Sequence, residues 1–259
     1  MSMITGARAW VDLPTPEPLG GGVVSVAHVV DTSGHELMGV ETQSDACATA
    51  EEWLEWCTTT PTGRKLFEDS LAYMTGDPFA VYAGVSCDLQ QLDEAETRAR
   101  ARLDLAESRS VDLHIDAQLA ADTNVVDLGG PFPVSEAIGV AEAFAATVYG
   151  GKPTLLIPRV VIPCGGFDQF ESSPGGNLTT VTGSLVAPLT TAVAVPYVSG
   201  PATMYVTGSI VLLRGPVNSF SVPQQVLEGG NFAPMRALAE RVYVPVFDCL
   251  TAKVEVTCS

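Results

Sequence analysis

The stretch Asp88 to Ala121, DLQQLDEAETRARARLDLAESRSVDLHIDAQLAA, decides the reading of the whole chain. It has no Gly or Pro and consists mostly of Ala, Leu, Glu, Arg and Gln, side chains that lose little freedom in a helix. Small or apolar residues recur at Leu92, Ala95, Ala99, Leu103, Ala106, Ser110, Leu113 and Ala117. Steps of three and four put them on one helical face. Glu94–Arg98 and Glu96–Arg100 attract at four-residue spacing, while Arg98–Arg102 repel. Some 30 residues make a rod of about 45 Å, two to three times an average helix. A rod of that length in a small protein serves as a backbone for other elements. Its small Ala and Ser positions suit packing on a sheet better than a coiled coil.

Outward from the rod the pattern is mixed. After Gly129-Gly130-Pro131, a second helix is expected at Val134–Val148, with Val134 or Ser135 near its cap and Tyr149-Gly150-Gly151 as its stop. Strands are expected at Pro153–Pro158, Val160–Pro163, Ala192–Val198, Ala202–Thr207, Ser209–Arg214 and Asn218–Val222, with an exposed loop at Gly165–Gly176. A helix at about Phe232–Arg241 and strands near Val242–Phe247 and Ala252–Thr257 close the chain. Upstream, Met1 to about Thr60 reads as an arm. Pro14, Pro16 and Pro18 extend it, Gly20-Gly21-Gly22 form a hinge, and Val23–Val30 form a strand. A short helical patch at Ala48–Cys57 carries Trp53 and Trp56, which need a surface to bury against. Thr58–Cys87 mixes loop and strand. The fold class is α+β, with no internal repeat.

Composition removes several functions. The 259 residues hold 13 Lys and Arg against 30 Asp and Glu, a net charge of −17. The only lysines are Lys65, Lys152 and Lys253, so sequence-specific DNA binding is out. The apolar run Leu185–Val198 is interrupted by Pro188 and Pro196 and falls short of the ~20 residues that span a bilayer. No basic start with an apolar core and cleavage site marks export. Reduced thiols are therefore expected at Cys47, Cys57, Cys87, Cys164, Cys249 and Cys258, as scattered core residues. A Cys47–Cys57 pair is open but unsupported by its spacing. No C-x-x-C pair exists, and His28, His35 and His114 do not make up a metal set. The expectation is no metal, no cofactor and no catalytic residue. There is no G-x-S-x-G elbow, the glycine runs lack phosphate-cradle geometry, and Asp168 with Glu171 reads as an acidic loop rather than a glycosidase pair.

The segment from Asn231 to Phe247, NFAPMRALAERVYVPVF, resembles the C-terminal signature of tailed-phage major capsid proteins of the Hong Kong 97 (HK97-like) type. In that family a short helix with a Glu-Arg pair leads into a strand of the shell domain. Ala202–Val217 is similar to the family's run from a small-residue strand into a strand bearing Arg, and Tyr149-Gly150-Gly151-Lys152-Pro153 to the opening of its axial domain. The resemblance implies an N-terminal arm over 1–57 and an extended loop over 58–87. It also implies a peripheral domain with the spine helix over 88–130 and 202–259, and an axial domain over 131–201.

The implied function is structural, not enzymatic: the major capsid protein of a tailed double-stranded DNA bacteriophage, self-assembling as hexamers and pentamers into an icosahedral shell around the genome. Expected partners are copies of itself, separate scaffolding, decoration and portal proteins, and packaged DNA held without sequence-specific contact, with no membrane. The location implied is the virion, after assembly in host cytoplasm. Trp10, Trp53, Trp56, Arg64, Lys65, Arg98, Arg102, Glu107, Glu240 and Arg241 are the expected inter-subunit contacts. The high negative charge fits a wall that keeps packed DNA off it. Two alternatives stand beside this: an encapsulin-like compartment shell, and a hydrolase with an acidic cleft.

Overall fold

A computed structural model describes residues 14, 16–48, 72–87, 94–166, 168–172, 176–191, 200–222 and 235–258. Among the described residues three α-helices stand with fifteen strands: α1 (Val23–Val26), α2 (Ala95–Ala121) and α3 (Val134–Val148). The first four strands are β1 (His28–Asp31), β2 (Val40–Ser44), β3 (Ala72–Gly76) and β4 (Phe79–Cys87). Between α2 and the middle of the chain come β5 (Val126–Asp127), β6 (Phe132–Pro133), β7 (Thr154–Pro158), β8 (Phe170–Ser172), β9 (Leu178–Thr180) and β10 (Leu185–Leu189). The rest are β11 (Ala202–Thr207), β12 (Ile210–Arg214), β13 (Asn218–Val222), β14 (Met235–Phe247) and β15 (Thr251–Thr257).

The hub of the first sheet is β14. Its residues 235–243 pair with β4, while 236–240 pair with β13 and 243–247 with β12. Because β4 takes one flank, β12 and β13 lie end to end along the other. The outer edge of β12 pairs in parallel with β1. The second sheet runs β5–β15–β11–β7–β10–β9–β8, with β6 also on β15. A separate hairpin pairs β2 with β3. Pro245 and Pro188 sit inside strands that have a partner on one flank, but beyond the ends of β4 and β9 on the other. Each thus has a flank without a ladder for its missing N–H.

The elements stack as four layers. α2 packs on β4 and β14, and the same core takes in Leu156, Ala187, Leu189 and Tyr205 from one face of the second sheet. The opposite face of that sheet gives Leu155, Ile157, Val186, Met204 and Val206 to a second core under α3. β7 is consequently buried at all five positions, as expected of a strand covered on both faces. Burial of each Leu or Ile side chain is worth roughly 1.5–3 kcal/mol.

The helix at Asp88–Ala121 and the one at Val134–Val148 are present, the first described from Ala95 onward. Its packing on a sheet is as expected, but the buried face differs past Leu103. Ala95, Ala99, Leu103, Val111, Ile115 and Leu119 are buried, whereas Ala106 and Ala117 are exposed. Steps of four advance 40° each turn at 100° per residue, so the buried stripe winds from the first sheet to the arm and the second sheet.

Three expected elements are corrected. Residues 235–241 are strand, not helix. Ala237 and Ala239 point into the core between neighbours on both sides, and this tertiary pairing overrides helix propensity. Val160–Pro163 turns into a short 3-10 segment, Ile162–Gly165, instead of a strand. Val23–Val26 is one helical turn, with the strand beginning only at His28. The loop Gly165–Gly176 holds β8. The expected strand Ala192–Val198 lies outside the described residues, as does the helical patch beyond Ala48.

The thiol expectation is also overturned. Cys47 is bonded to Cys249 and Cys164 to Cys258, so Cys47 does not pair with Cys57. The bonds join positions 202 and 94 residues apart, which spacing along the sequence could not reveal.

Candidate functional site

Two buried or part-buried carboxylates on α2 organise the polar contacts between the layers. The fully buried Asp112 is the centre of one joint. Asp112 Oδ1 accepts the Val23 N–H at 2.9 Å and Oδ2 accepts the Thr190 N–H at 3.0 Å. One carboxylate thereby ties the start of α1, the long helix α2 and the end of β10 together. Ser108 Oγ donates to the Gly21 carbonyl at 3.4 Å, and Arg159 Nη2 donates to the Gly20 carbonyl at 2.9 Å. Arg159 Nε also donates to Thr190 Oγ1 at 3.3 Å. Burial pushes the Asp112 carboxyl above the ordinary range, against the opposing pull of the two backbone N–H groups and the Arg159 charge.

Gly22 is required here. Its φ is +83°, and an added Cβ would lie 2.7 Å from Asp112 Oδ1. Within the triple glycine expected to be a hinge, Gly22 is thus a close-approach position, and the backbone around it is pinned at Gly20, Gly21 and Val23.

Five residues earlier on the same helix, Glu107 makes a different joint. Its Oε1 lies 2.7 Å from Arg241 Nη1, and the Tyr243 hydroxyl donates to the same oxygen. Desolvation, then the hydrogen bond to Glu107, pushes the Tyr243 phenol far above its usual range. Phe79 stacks on Tyr243 and on His114, with ring centroids 5.7 and 3.7 Å away. This joint holds α2 against the hub strand.

Of the expected contact residues, the structure brings Glu107 and Arg241 together inside one subunit. Arg98 pairs with Glu94 at 3.3 Å along the exposed helix. Arg102 Nη1 donates to the Gly84 carbonyl at 2.9 Å, and its neighbour Arg100 Nε donates to Ser219 Oγ at 3.0 Å. Glu240 is half-buried on β14, opposite Tyr82 and Asn218. Trp10, Trp53, Trp56, Arg64 and Lys65 lie outside the described residues.

Sequence reading missed Asp112, Arg159 and Thr190 altogether. A lone Asp in a charged helix gives no signal until two distant backbones are seen to converge on it. A third polar joint was also unforeseen. Tyr149 donates to Asp248 Oδ2 at 2.9 Å and accepts the Ser209 N–H at 3.0 Å. Among the described residues no group of three or more His, Cys, Asp or Glu side chains could hold a metal ion. No helix there is long and apolar enough to cross a membrane.

The long helix α2 thus lies between two sheets, with the antiparallel β2–β3 pair against the first of them. The chain matches the capsid of an empty GTA particle with a TM-score of 0.57 at 13% identity, over 95% of both chains. It matches a protein of Mycobacterium phage Adephagia with a TM-score of 0.56 at 14% identity, over 93% of this chain and 91% of that one. A virus-like particle from Pyrococcus furiosus gives 0.51 at 7% identity, over 90% and 91%. The likeness is one of fold. No protein-family model matches the sequence, and no curated protein does.

Proposed function

We propose that the chain is the major capsid protein of a tailed double-stranded DNA bacteriophage. In this reading it is structural rather than catalytic, and hexamers and pentamers of it close into an icosahedral shell around the genome. The observation that carries the reading is the near end-to-end match of this four-layered fold to the capsid of a GTA particle. Residues 88–130 and 202–259 are then the peripheral domain with its spine helix, 131–201 the axial domain, and 1–57 and 58–87 the arm and extended loop. Trp10, Trp53, Trp56, Arg64, Lys65, Arg98, Arg102 and Glu240 are proposed to face neighbouring copies, with the Glu107–Arg241 pair holding the surface that presents them. Scaffolding, decoration and portal proteins are the other proposed partners. DNA is enclosed without base-specific contact, consistent with a net charge of −17. Assembly takes place in host cytoplasm, and the mature location is the virion.

Negative-stain electron microscopy of the purified chain, with light scattering on the same sample, tests this. Closed particles or capsomer-sized rings are expected. A persistent monomer, even with a candidate scaffolding protein from the same gene cluster, overturns it. A second reading, a compartment shell holding a protein cargo, is favoured by the match to the Pyrococcus furiosus particle. Particles that co-purify with a cargo protein and hold no DNA in the native source decide for it.

A further inference from the structure

Four cysteines meet in two bonds that join different parts of the fold, and each bond sits where non-covalent contacts hold the neighbouring backbone. Beside Cys47, the Gly150 N–H donates to the Ala46 carbonyl at 2.7 Å and the Ala46 N–H donates to Ser44 Oγ at 3.0 Å. Beside Cys249, its own N–H donates to Asp248 Oδ1 at 2.8 Å. On the other bond, the Cys164 N–H donates to the Val161 carbonyl at 3.0 Å, and Thr257 next to Cys258 is in register with Pro133. The Cα atoms are 6.0 and 5.3 Å apart across the two pairs. The two bonds span 202 and 94 residues of sequence and join different layers of the fold. The core under α3 is built from side chains such as Leu155, Ile157 and Met204, and the half-buried Cys47 and Cys249 pack at its margin. The folded subunit therefore presents two pre-positioned dithiols.

We propose that both bonds stay open while the subunit is made, folded and assembled, and close afterwards in an oxidising solution. They form a covalent lock within each subunit, applied to the finished shell. The inference rests on the capsid reading, which places the folded chain first in a reducing cytosol and later outside the cell. Reduced thiols are the rule in the first and disulfides in the second. The chemistry needs an oxidant of the low-molecular-weight disulfide class, such as oxidised glutathione. One protein thiolate attacks a glutathione sulfur and expels a glutathione thiolate. The second protein thiolate then attacks the mixed disulfide and expels the other. The protein loses two electrons and two protons per bridge, and two reduced glutathiones are formed.

Position says what the lock does. Cys47–Cys249 fastens the outgoing end of β2, and with it the β2–β3 hairpin, to the turn between β14 and β15. Cys164–Cys258 fastens the end of β15 to the 3-10 segment after β7. Exposure sets the order. Cys164 and Cys258 are exposed, whereas Cys47 and Cys249 are half-buried, so the first pair exchanges faster in both directions.

The test uses the full chain expressed in a reducing cytosol and lysed into N-ethylmaleimide, with peptide mapping before and after incubation with oxidised glutathione. All six cysteines are expected to be alkylated in the first sample. In the second, Cys47–Cys249 and Cys164–Cys258 are expected as disulfide-linked peptides within a monomer on non-reducing gels, Cys164–Cys258 forming several-fold faster. Particles closed by oxidation should dissociate at a higher temperature than the same particles kept reduced, and a Cys164→Ser/Cys47→Ser variant should show no such gain. Bonds already closed in the alkylated lysate, other pairings, or equal particle stability in both states overturn the proposal. Electron microscopy of the same samples separates the two readings. Particles with bonds closed in the cytosol sink the lock and leave the shell, whereas late closure on a chain that never assembles sinks the shell.

Discussion

Glu107 and Asp112 are two inward carboxylates five residues apart on one helix, and they hold different kinds of thing. Glu107 accepts from side chains, Arg241 and Tyr243, and so bonds helix to sheet inside a single core. Asp112 accepts from two backbone N–H groups, Val23 and Thr190, that belong to segments 167 residues apart. The first is an internal brace. The second fixes where the start of α1 sits against α2 and β10. Side-chain partners can rotate toward other groups when the carboxylate is lost, but a buried backbone N–H has no such freedom.

The comparison breaks most visibly at Asp112. Asp112→Ala leaves the buried Val23 N–H and the part-buried Thr190 N–H without their partner, at about 1–3 kcal/mol for a buried donor and less for the second, so a loss of roughly 2–4 kcal/mol is expected in urea unfolding. Hydrogen exchange gives the sharper signal. Protection at Val23 and Thr190 should collapse while the amides of β7 and β11 change only in step with global stability. Uniform loss across all of them would reduce Asp112 to an ordinary core residue.

Glu107→Ala comes next. It strands Arg241, whose charge is mostly buried, and about 3 kcal/mol is expected from breaking a buried pair. Glu107→Gln should recover much of that, because the amide oxygen still accepts from Tyr243. Arm amides at Val23 should hold their relative protection in both variants, which is what separates a brace from a joint. If Glu107→Ala loosens the arm as much as Asp112→Ala does, the two sites are one unit.

Gly22→Ala probes the arm side of the same joint without touching its charge. An alanine at φ +83°, with its Cβ against the carboxylate, is expected to cost about 1–3 kcal/mol. Gly139→Ala is the control, since nothing lies within 4 Å of an added Cβ there. Within α3 that change should stabilise by about 0.5–1 kcal/mol. Equal thermal midpoints for the two variants would show that Gly22 is a free hinge after all.

The same pair of carboxylates explains what could be read in advance. The buried stripe Ala95, Ala99, Leu103, Val111, Ile115 and Leu119 advances in fours, and the place between Leu103 and Val111 is taken by Glu107. A charged residue at an inward position breaks the hydrophobic pattern, so a periodicity reading slides onto Ala106, Ser110 and Ala117 instead. The rod itself is legible because its composition admits nothing else. The alternation Arg236, Ala237, Leu238, Ala239 was equally present in the sequence, but Ala, Leu, Glu and Arg also favour helix. Only the neighbours on both flanks of β14 decide it. Joints that bring together residues far apart, Asp112 with Val23 or Cys47 with Cys249, leave no mark in local sequence.

The smallest effect is one of sign, and it sets Asp112 against an exposed carboxylate. Asp31 sits on β1 with the Arg214 guanidinium on its carboxyl, Nε to Oδ1 at 2.6 Å, and the hydrogen bond to Arg214 holds its pKa below the ordinary 3.8. Its ionised form is favoured in the folded state, so its contribution is present above pH 3.8 and is lost as the pH falls through the folded value. Asp112 runs the other way. Burial raises its pKa above the same 3.8, so the folded chain takes up the proton first, and acidification toward that value relieves part of the cost of burying the charge. The stability of wild type relative to Asp112→Asn should therefore rise as the pH is lowered toward 4, while wild type relative to Asp31→Asn should stay flat there and fall only at lower pH. Both slopes are read from urea midpoints across the pH series. Parallel slopes would mean that Asp112 is reached by water, and that the arm is held at this point by something other than a buried carboxylate.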